Sequence, residues 1–234
     1  MKPADEVIVL VGGFGTRLQQ VVADVPKPLA PVAGRPFLAY LLDGYANAGM
    51  RRAILATGYR AEQVRAFAGA RWSGMEIAYS HEDVPLGTGG AIRQAAALVR
   101  GHGVHVANGD TWLRHAPQAL EAAARREGTR MAVALVEVDD TGRYGAVEVQ
   151  GGLARSFREK GGQGPGLING GSYYLAPDAL AMLPDEPAFS FETRVLQPWA
   201  ADGQVAVCSD TGGFIDIGVP EDYARAQQLF ADGP

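Results

Sequence analysis

One junction constrains this chain more than any other: the apolar run Val7-Ile8-Val9-Leu10-Val11 opens directly into Gly12-Gly13-Phe14-Gly15-Thr16-Arg17. An unbroken apolar run suits a strand covered on both faces, as in a parallel sheet flanked by helices. Glycines placed straight after it let the backbone turn and let its N–H groups approach a ligand that a side chain would hold off. The pattern then repeats. Glu6–Val11, Arg52–Thr57, Met75–Ser80 and Gly103–Asn108 read as short buried strands separated by helix-period segments. In Pro36–Ala48, the residues Phe37, Leu38, Leu41, Leu42 and Tyr45 fall at helical spacings, with Pro36 at the start and Gly49 at the end. Ala61–Ala68, Gly90–Val99 and Pro117–Glu127 are the other helices. Strands and helices alternating at this length predict an α/β fold with a doubly wound, mostly parallel sheet.

Beyond residue 130 the pattern changes. Met131–Val138, Tyr144–Gln150, Leu153–Arg158 and Gly170–Leu175 read as strands between Gly- or Asp-rich turns. A helix at Phe191–Ala201, a strand at Gln204–Ser209 and a closing helix at Glu221–Leu229 follow. There is no linker-like composition, low-complexity segment or repeat. The expectation for residues 1–234 is therefore one domain, with a small β-rich lobe over about 131–234. Ligands of doubly wound sheets bind beyond the carboxyl ends of the strands. Chemistry is thus to be sought in Gly12–Arg17, Pro85–Gly90 and Asn108–Asp110.

Composition removes several function classes. Hydrophobic residues make up 47% and charged residues 20%, enough to build a core and too ordered a balance for a disordered chain. A net charge of −5 without any block of like charge argues against a nucleic-acid groove or an anionic membrane surface. Cys208 is the one cysteine, so this chain forms no internal disulfide and no thiolate metal cluster, and Val205-Ala206-Val207-Cys208 reads as a packed strand. Met1–Glu6 carries no signal-peptide pattern, and no apolar run approaches the ~20 residues needed to span a bilayer. The expectation is a cytoplasmic protein. His81, His102, His105 and His115 show no metal-ligand spacing, and Trp72, Trp112 and Trp199 read as packing.

The glycine loop is neither a Walker A loop, since Gly-Lys-Ser/Thr is missing, nor a dinucleotide fingerprint, since Arg17-Leu18 stands where a third glycine would be needed. The second point argues against a nicotinamide-dependent oxidoreductase. Arg17 lies inside the loop, where its guanidinium can fork onto phosphate oxygens. Pro26-Lys27-Pro28 reads as an extended, stiff segment that presents one ammonium in a fixed direction. Asn108-Gly109-Asp110 ends an apolar strand and places a carboxylate at the ligand edge of the sheet, a natural Mg²⁺ ligand. Asp216, inside Phe214-Ile215-Asp216-Ile217, is costly there unless paired or metal-bound. Glu159-Lys160 and Asn169-Gly170-Gly171 could serve a sugar and a phosphate, with an ordinary solvated face as the rival reading. The combination suggests a nucleoside triphosphate site that positions a substrate nucleophile and supplies none of its own.

In this order the motifs resemble the signature of the sugar-1-phosphate nucleotidyltransferases: Gly12-Gly13-x-Gly15-Thr16-Arg17-Leu18, Pro26-Lys27-Pro28 with Pro31, Glu82 with Pro85-Leu86-Gly87-Thr88-Gly89-Gly90-Ala91, Asn108-Gly109-Asp110, Glu159-Lys160, Asn169-Gly170-Gly171, and Ile215-Asp216-Ile217-Gly218-x-Pro220. The resemblance covers nearly the whole chain. It implies a Rossmann-like nucleotidyltransferase fold and transfer of a nucleotidyl group to a sugar 1-phosphate with release of pyrophosphate. By resemblance, Arg17 and Lys27 grip the triphosphate, Asp110 and Asp216 hold Mg²⁺, and Asp110, Arg17 and Lys27 carry catalysis. Gly12, Gly13, Gly15, Thr16, Gly87 and Thr88 meet the nucleotide. Glu159, Lys160, Asn169 and Gly170 meet the sugar phosphate. Two departures stand out: Val11 where a small residue is common, and Gln19-Gln20-Val21-Val22 in place of a frequent proline.

The short chain with Leu86-Gly87-Thr88-Gly89-Gly90-Ala91 is most similar to guanylyltransferases acting on D-glycero-D-manno-heptose 1-phosphate, on the route to GDP-heptose for capsule or surface polysaccharide. Mannose-1-phosphate guanylyltransferases and N-acetylmuramate- or hexose-1-phosphate uridylyltransferases are the alternatives. A catalytically inactive regulatory subunit is a more distant one. The expected partners are GTP and a sugar 1-phosphate, without nucleic acid or membrane. A β-rich lobe with a sheet edge to cover leaves room for a homo-oligomer.

Overall fold

A computed structural model of the protein describes residues 3–13, 18, 22, 25–158 and 161–233. Its elements run β1 Glu6–Leu10, a 3₁₀ turn Lys27–Leu29, β2 Pro31–Val32, β3 Arg35–Pro36, α1 Phe37–Asn47, β4 Arg52–Thr57, α2 Ala61–Ala68, β5 Arg71–Trp72, β6 Met75–His81 and α3 Gly87–Ala96. They continue with β7 Val104–Asn108, β8 Thr111–Leu113, α4 Pro117–Glu127, β9 Met131–Val138, β10 Val147–Gln150, β11 Leu153–Phe157 and β12 Gly166–Leu175. The chain closes with α5 Pro177–Ala181, a π-helical turn Glu192–Leu196, α6 Gln197–Ala201, β13 Val205–Cys208, β14 Phe214–Asp216 and α7 Pro220–Ala231.

Among the described residues the main sheet has ten strands in the order β10-β11-β13-β9-β12-β7-β1-β4-β6-β5. The block β7-β1-β4-β6 is parallel throughout, and β12 enters antiparallel between β7 and β9. The β-rich second half therefore extends the same sheet. Alternation along the central strands explains the two-sided core: Val7, Val9, Ala53 and Leu55 face one cluster with Leu38 and Leu42 of α1, while Ile8, Ile54 and Ala56 face another with Ile92 of α3. Every residue of β4 is buried. None of the described helices is long and apolar enough to cross a membrane.

Two expected boundaries shift for local reasons. Tyr144–Ala146 leave the strand expected there, because Tyr144 and Gly145 both donate their N–H to Thr141 O in a turn that Gly145 closes at φ +82. β12 begins earlier than expected, at Gly166, and continues through a register shift between Asn169 and Tyr173 against β9. That is a bulge, and Gly171 at φ +71 supplies its left-handed residue. The expected helix Phe191–Ala201 keeps its bounds, with Glu192–Leu196 wound as a π turn ahead of a short α-helix.

An ion pair and a histidine are buried in the sheet. Arg52 donates to Glu6 Oε1 at 3.0 Å, and Glu6 Oε2 accepts the N–H groups of Arg100 and Gly101 at 2.7 and 2.6 Å. This pair ties the start of β1 to β4 and to the turn before β7. His105 of β7 is fully buried beside the Tyr174 ring, and burial, helped by the nearby His115, pushes its pKa down to about 3. The unfolded chain takes up that proton near the ordinary value of 6.5, so stability falls as pH drops through the window from 6.5 to about 3. Between pH 7 and pH 5 this group should cost the wild type about 2 kcal/mol. Urea titrations at the two pH values should show that loss shrinking by about this amount in His105→Leu; equal losses would mean that His105 protonates inside the fold.

Candidate active site

The carboxyl ends of β1, β4, β6 and β7 open into a cleft of 740 Å³. Its floor is set where β7 ends. Gly109 donates its N–H to Leu10 O at 2.9 Å, and a Cβ on Gly109 would stand 2.3 Å from that oxygen. Only glycine lets the two strand ends come this close, which sets Asp110 beside the end of β1. The next three residues, β8, pair antiparallel with β14, and Asp216 stands opposite Thr111. Ile217 N–H donates to Asp110 O at 2.9 Å. Two carboxylates far apart in sequence thus become neighbours through backbone pairing alone.

Lys27 reaches both. Its Nζ lies 2.5 Å from Asp110 Oδ2 and 4.0 Å from Asp216 Oδ1, with its side chain 12% exposed. The segment carrying it is a 3₁₀ turn, a correction to the extended conformation that Pro28 suggested. Proline restrains its predecessor away from the α region, but at the start of a turn its missing N–H costs nothing. Buried Pro28 and Leu29 anchor the turn, so the lysine is still held in a fixed direction. Thr111 Oγ1 donates to Asp110 Oδ1 at 3.2 Å and Gly218 N–H to Asp216 Oδ1 at 2.7 Å. Burial first, and then the charge of Asp110, raise the Asp216 pKa, against the pull of Lys27. Two carboxylates against one ammonium leave an excess negative charge that a further cation would neutralise. Among the described residues no group of three or more His, Cys, Asp or Glu could hold a metal by itself. Mg²⁺ needs only one or two protein carboxylates when phosphates and water fill the other positions, and Asp110 with Asp216 meets that requirement.

The other expected residues divide into three groups. Gly12, Gly13, Gly87 and Thr88 line the cleft with Lys27 and Asp110. Gly87 has φ +67, and a Cβ there would meet Phe189 O at 2.6 Å, so its glycine is required twice over. Asn169 and Gly170 are not among the residues lining the cleft: Asn169 Nδ2 donates to Tyr173 Oη at 2.7 Å, its Oδ1 accepts Gly171 N–H at 2.9 Å, and Gly170 lines a second cavity of 390 Å³ with Ser172 and His115. Gly15, Thr16, Arg17, Glu159 and Lys160 lie outside the described residues.

Sequence reasoning assigned no role to Tyr59, Glu82 and Glu192, which also line the cleft. Glu82 follows β6, and its Oε2 accepts Leu86 N–H at 3.1 Å while burial raises its pKa. The rule that ligands sit beyond strand ends would have found Tyr59 and Glu82. Glu192 had no such signal, because it reaches the cleft from a distant helical segment.

Residues 6–233 match the family described as nucleotidyl transferase. The chain is 37% identical over 219 residues to a D-glycero-alpha-D-manno-heptose 1-phosphate guanylyltransferase of Campylobacter jejuni, covering 93% of this chain and 96% of that protein. It is 34% identical over 225 residues to a mannose-1-phosphate guanylyltransferase of Mycobacterium tuberculosis, covering 94% of this chain and 63% of that one. Among solved structures, HddC from Yersinia pseudotuberculosis complexed with GMP-PN superimposes with a TM-score of 0.82 at 34% identity, covering 95% of this chain and 98% of that chain. Family match, near-full-length similarity and shared fold agree, and the chain belongs to the nucleotidyl transferase family.

Proposed function

We propose that the protein transfers a guanylyl group from GTP to D-glycero-D-manno-heptose 1-phosphate, forming GDP-heptose and pyrophosphate with Mg²⁺. The observation that carries this reading is the Lys27 ammonium held against Asp110, with Asp216 within 4.0 Å, on the floor of a cleft at the strand ends. Similarity over 96% of a heptose 1-phosphate guanylyltransferase supports the choice of substrates. In this reading Gly12, Gly13, Gly15, Thr16, Gly87 and Thr88 receive the nucleotide. Glu159, Lys160, Asn169 and Gly170 serve the sugar phosphate, Asn169 and Gly170 by shaping the bulge that borders it.

The chemistry follows from charge. A sugar phosphate oxygen is already anionic at neutral pH, so attack on the α-phosphorus needs no general base. The phosphate oxygen forms the new P–O bond as the bond to the β-phosphate breaks, and pyrophosphate leaves with the electron pair. Asp110 and Asp216 would hold the Mg²⁺, which supplies charge neutralisation for the phosphates. Lys27 and Arg17 add positive charge at the α-phosphate, where negative charge builds up. The remaining demand is alignment of two polyanions, which the rigid strand ends provide.

Pyrophosphate release over a matrix of nucleoside triphosphates and sugar 1-phosphates tests the substrates. Signal should be strongest for GTP with heptose 1-phosphate; preference for another pair would keep the family and overturn the specificity. A second expectation concerns Asp216. Its raised pKa means that the ionised form is disfavoured in the metal-free fold. Asp216→Asn should therefore raise the melting temperature of the metal-free protein. The same change should lower turnover by about 100-fold or more. Thermal melts without metal, beside Mg²⁺-dependent rates, check both.

A further inference from the structure

Glu192 is built into the cleft with unusual care. It starts the π-helical turn Glu192–Leu196, a rare geometry that recurs at functional positions. Two hydroxyls fix one of its oxygens: Thr88 Oγ1 donates to Glu192 Oε2 at 2.8 Å and Ser190 Oγ at 3.0 Å. Those hydroxyls are themselves oriented, since Thr88 Oγ1 accepts Phe191 N–H at 2.9 Å and Ser190 Oγ accepts Thr193 N–H at 3.3 Å. The carboxylate is half-buried in the cleft wall, and Oε1 has no protein donor among the described residues. A half-buried carboxylate held that rigidly is well suited to accept hydrogen bonds from a ligand.

Its position in the sheet indicates which ligand. Gly12, Tyr59 and Glu82 stand at the ends of β1, β4 and β6. Glu192 bridges to the other side of β7: it is bonded to Thr88 at the start of α3, while the neighbouring Phe191 ring packs edge-on against Tyr173 of β12, at 5.2 Å and 74°. Tyr173 in turn receives the amide of Asn169. The Tyr173 hydroxyl is held above its ordinary pKa by burial and then by the charge of Glu192, with Asp110 adding to it. From the β6 edge toward β7, the strand ends bring Glu82 and Tyr59, then Gly12 and Gly13, then Asp110 with Lys27, and the charge of Glu192 acts on the Tyr173 hydroxyl of β12 beyond them. With the phosphates at Lys27 and Asp110 and the base toward β4 and β6, the far side is left for the sugar of the second substrate.

We infer that Glu192 is a specificity-determining residue that accepts hydrogen bonds from ring hydroxyls of the sugar 1-phosphate. This rests on the proposed nucleotidyl transfer but not on its choice of base or epimer. The test uses whichever substrate pair the wild type turns over in the matrix above. Glu192→Gln keeps an acceptor for Thr88 and Ser190 and removes the charge. It should lower kcat/KM for the sugar phosphate by about tenfold or more, the effect of losing a charged hydrogen bond, while KM for the nucleotide stays within about twofold. The 2-, 3- and 4-deoxy sugar 1-phosphates localise the contact: the analogue lacking the recognised hydroxyl should be no worse a substrate for the variant than for the wild type. Calorimetric binding of the Mg²⁺–nucleotide to the variant confirms that it is folded. Should folding fail, Ser190→Ala loosens the same oxygen and should reduce the sugar-phosphate parameter alone. A rise in nucleotide KM with unchanged sugar kinetics would place Glu192 on the ribose and overturn the inference, as would no change in either.

Discussion

Pairing between β8 and β14 is the constraint on which the site depends. Asp110 and Asp216 repel each other, and no local preference would bring them together. The short antiparallel ladder from Phe214 opposite Leu113 to Asp216 opposite Thr111 does so through backbone hydrogen bonds, whose strength does not depend on the state of the carboxylates. Gly109 adds the second half of the constraint by letting β7 close onto β1. Lys27 then enters from a proline-anchored turn and offsets part of the repulsion. The carboxylates are left short of positive charge in the free protein, the condition in which a divalent cation and its phosphates bind best.

The same economy shapes the rest of the cleft. Its walls come from strand ends and from the first turn of α3, and hydrogen bonds between Gly89 N and Phe189 O and between Phe189 N and Leu86 O pin that turn to the second half of the chain. The two halves of the chain are thereby locked to each other across one continuous sheet. A reaction that needs two polyanions aligned more than it needs a proton moved is well served by such rigidity.

The sequence was most legible where burial enforces periodicity. Arg52–Thr57, Ala61–Ala68, Pro117–Glu127 and Met131–Val138 match the expected elements residue for residue. It was least legible where long-range contacts override local signals. Tyr144 and Gly145 have strand-like neighbours but are drawn into a turn, and the Tyr144 hydroxyl reaches Asp222 of α7. Strand β8 is too short to stand out, so the proximity of Asp110 to Asp216 was implied only by the family resemblance and not by local pattern. Glu192 sits in a π turn, whose period matches neither an ordinary helix nor a strand, and its partner Thr88 lies 104 residues away. Asn169 was readable as a motif, yet its amide is spent inside the protein on Tyr173 and Gly171.

The central claim is that this cluster works by neutralising charge on a phosphoryl group and not by moving a proton. Steady-state pyrophosphate release by Lys27→Ala, measured against pH beside the wild type, tests it most directly. The account predicts a fall in kcat of about 100-fold or more, with a pH profile of unchanged shape across the neutral range. A variant that folds and turns over within a few-fold of the wild type, or one whose loss is recovered by raising the pH, would contradict it.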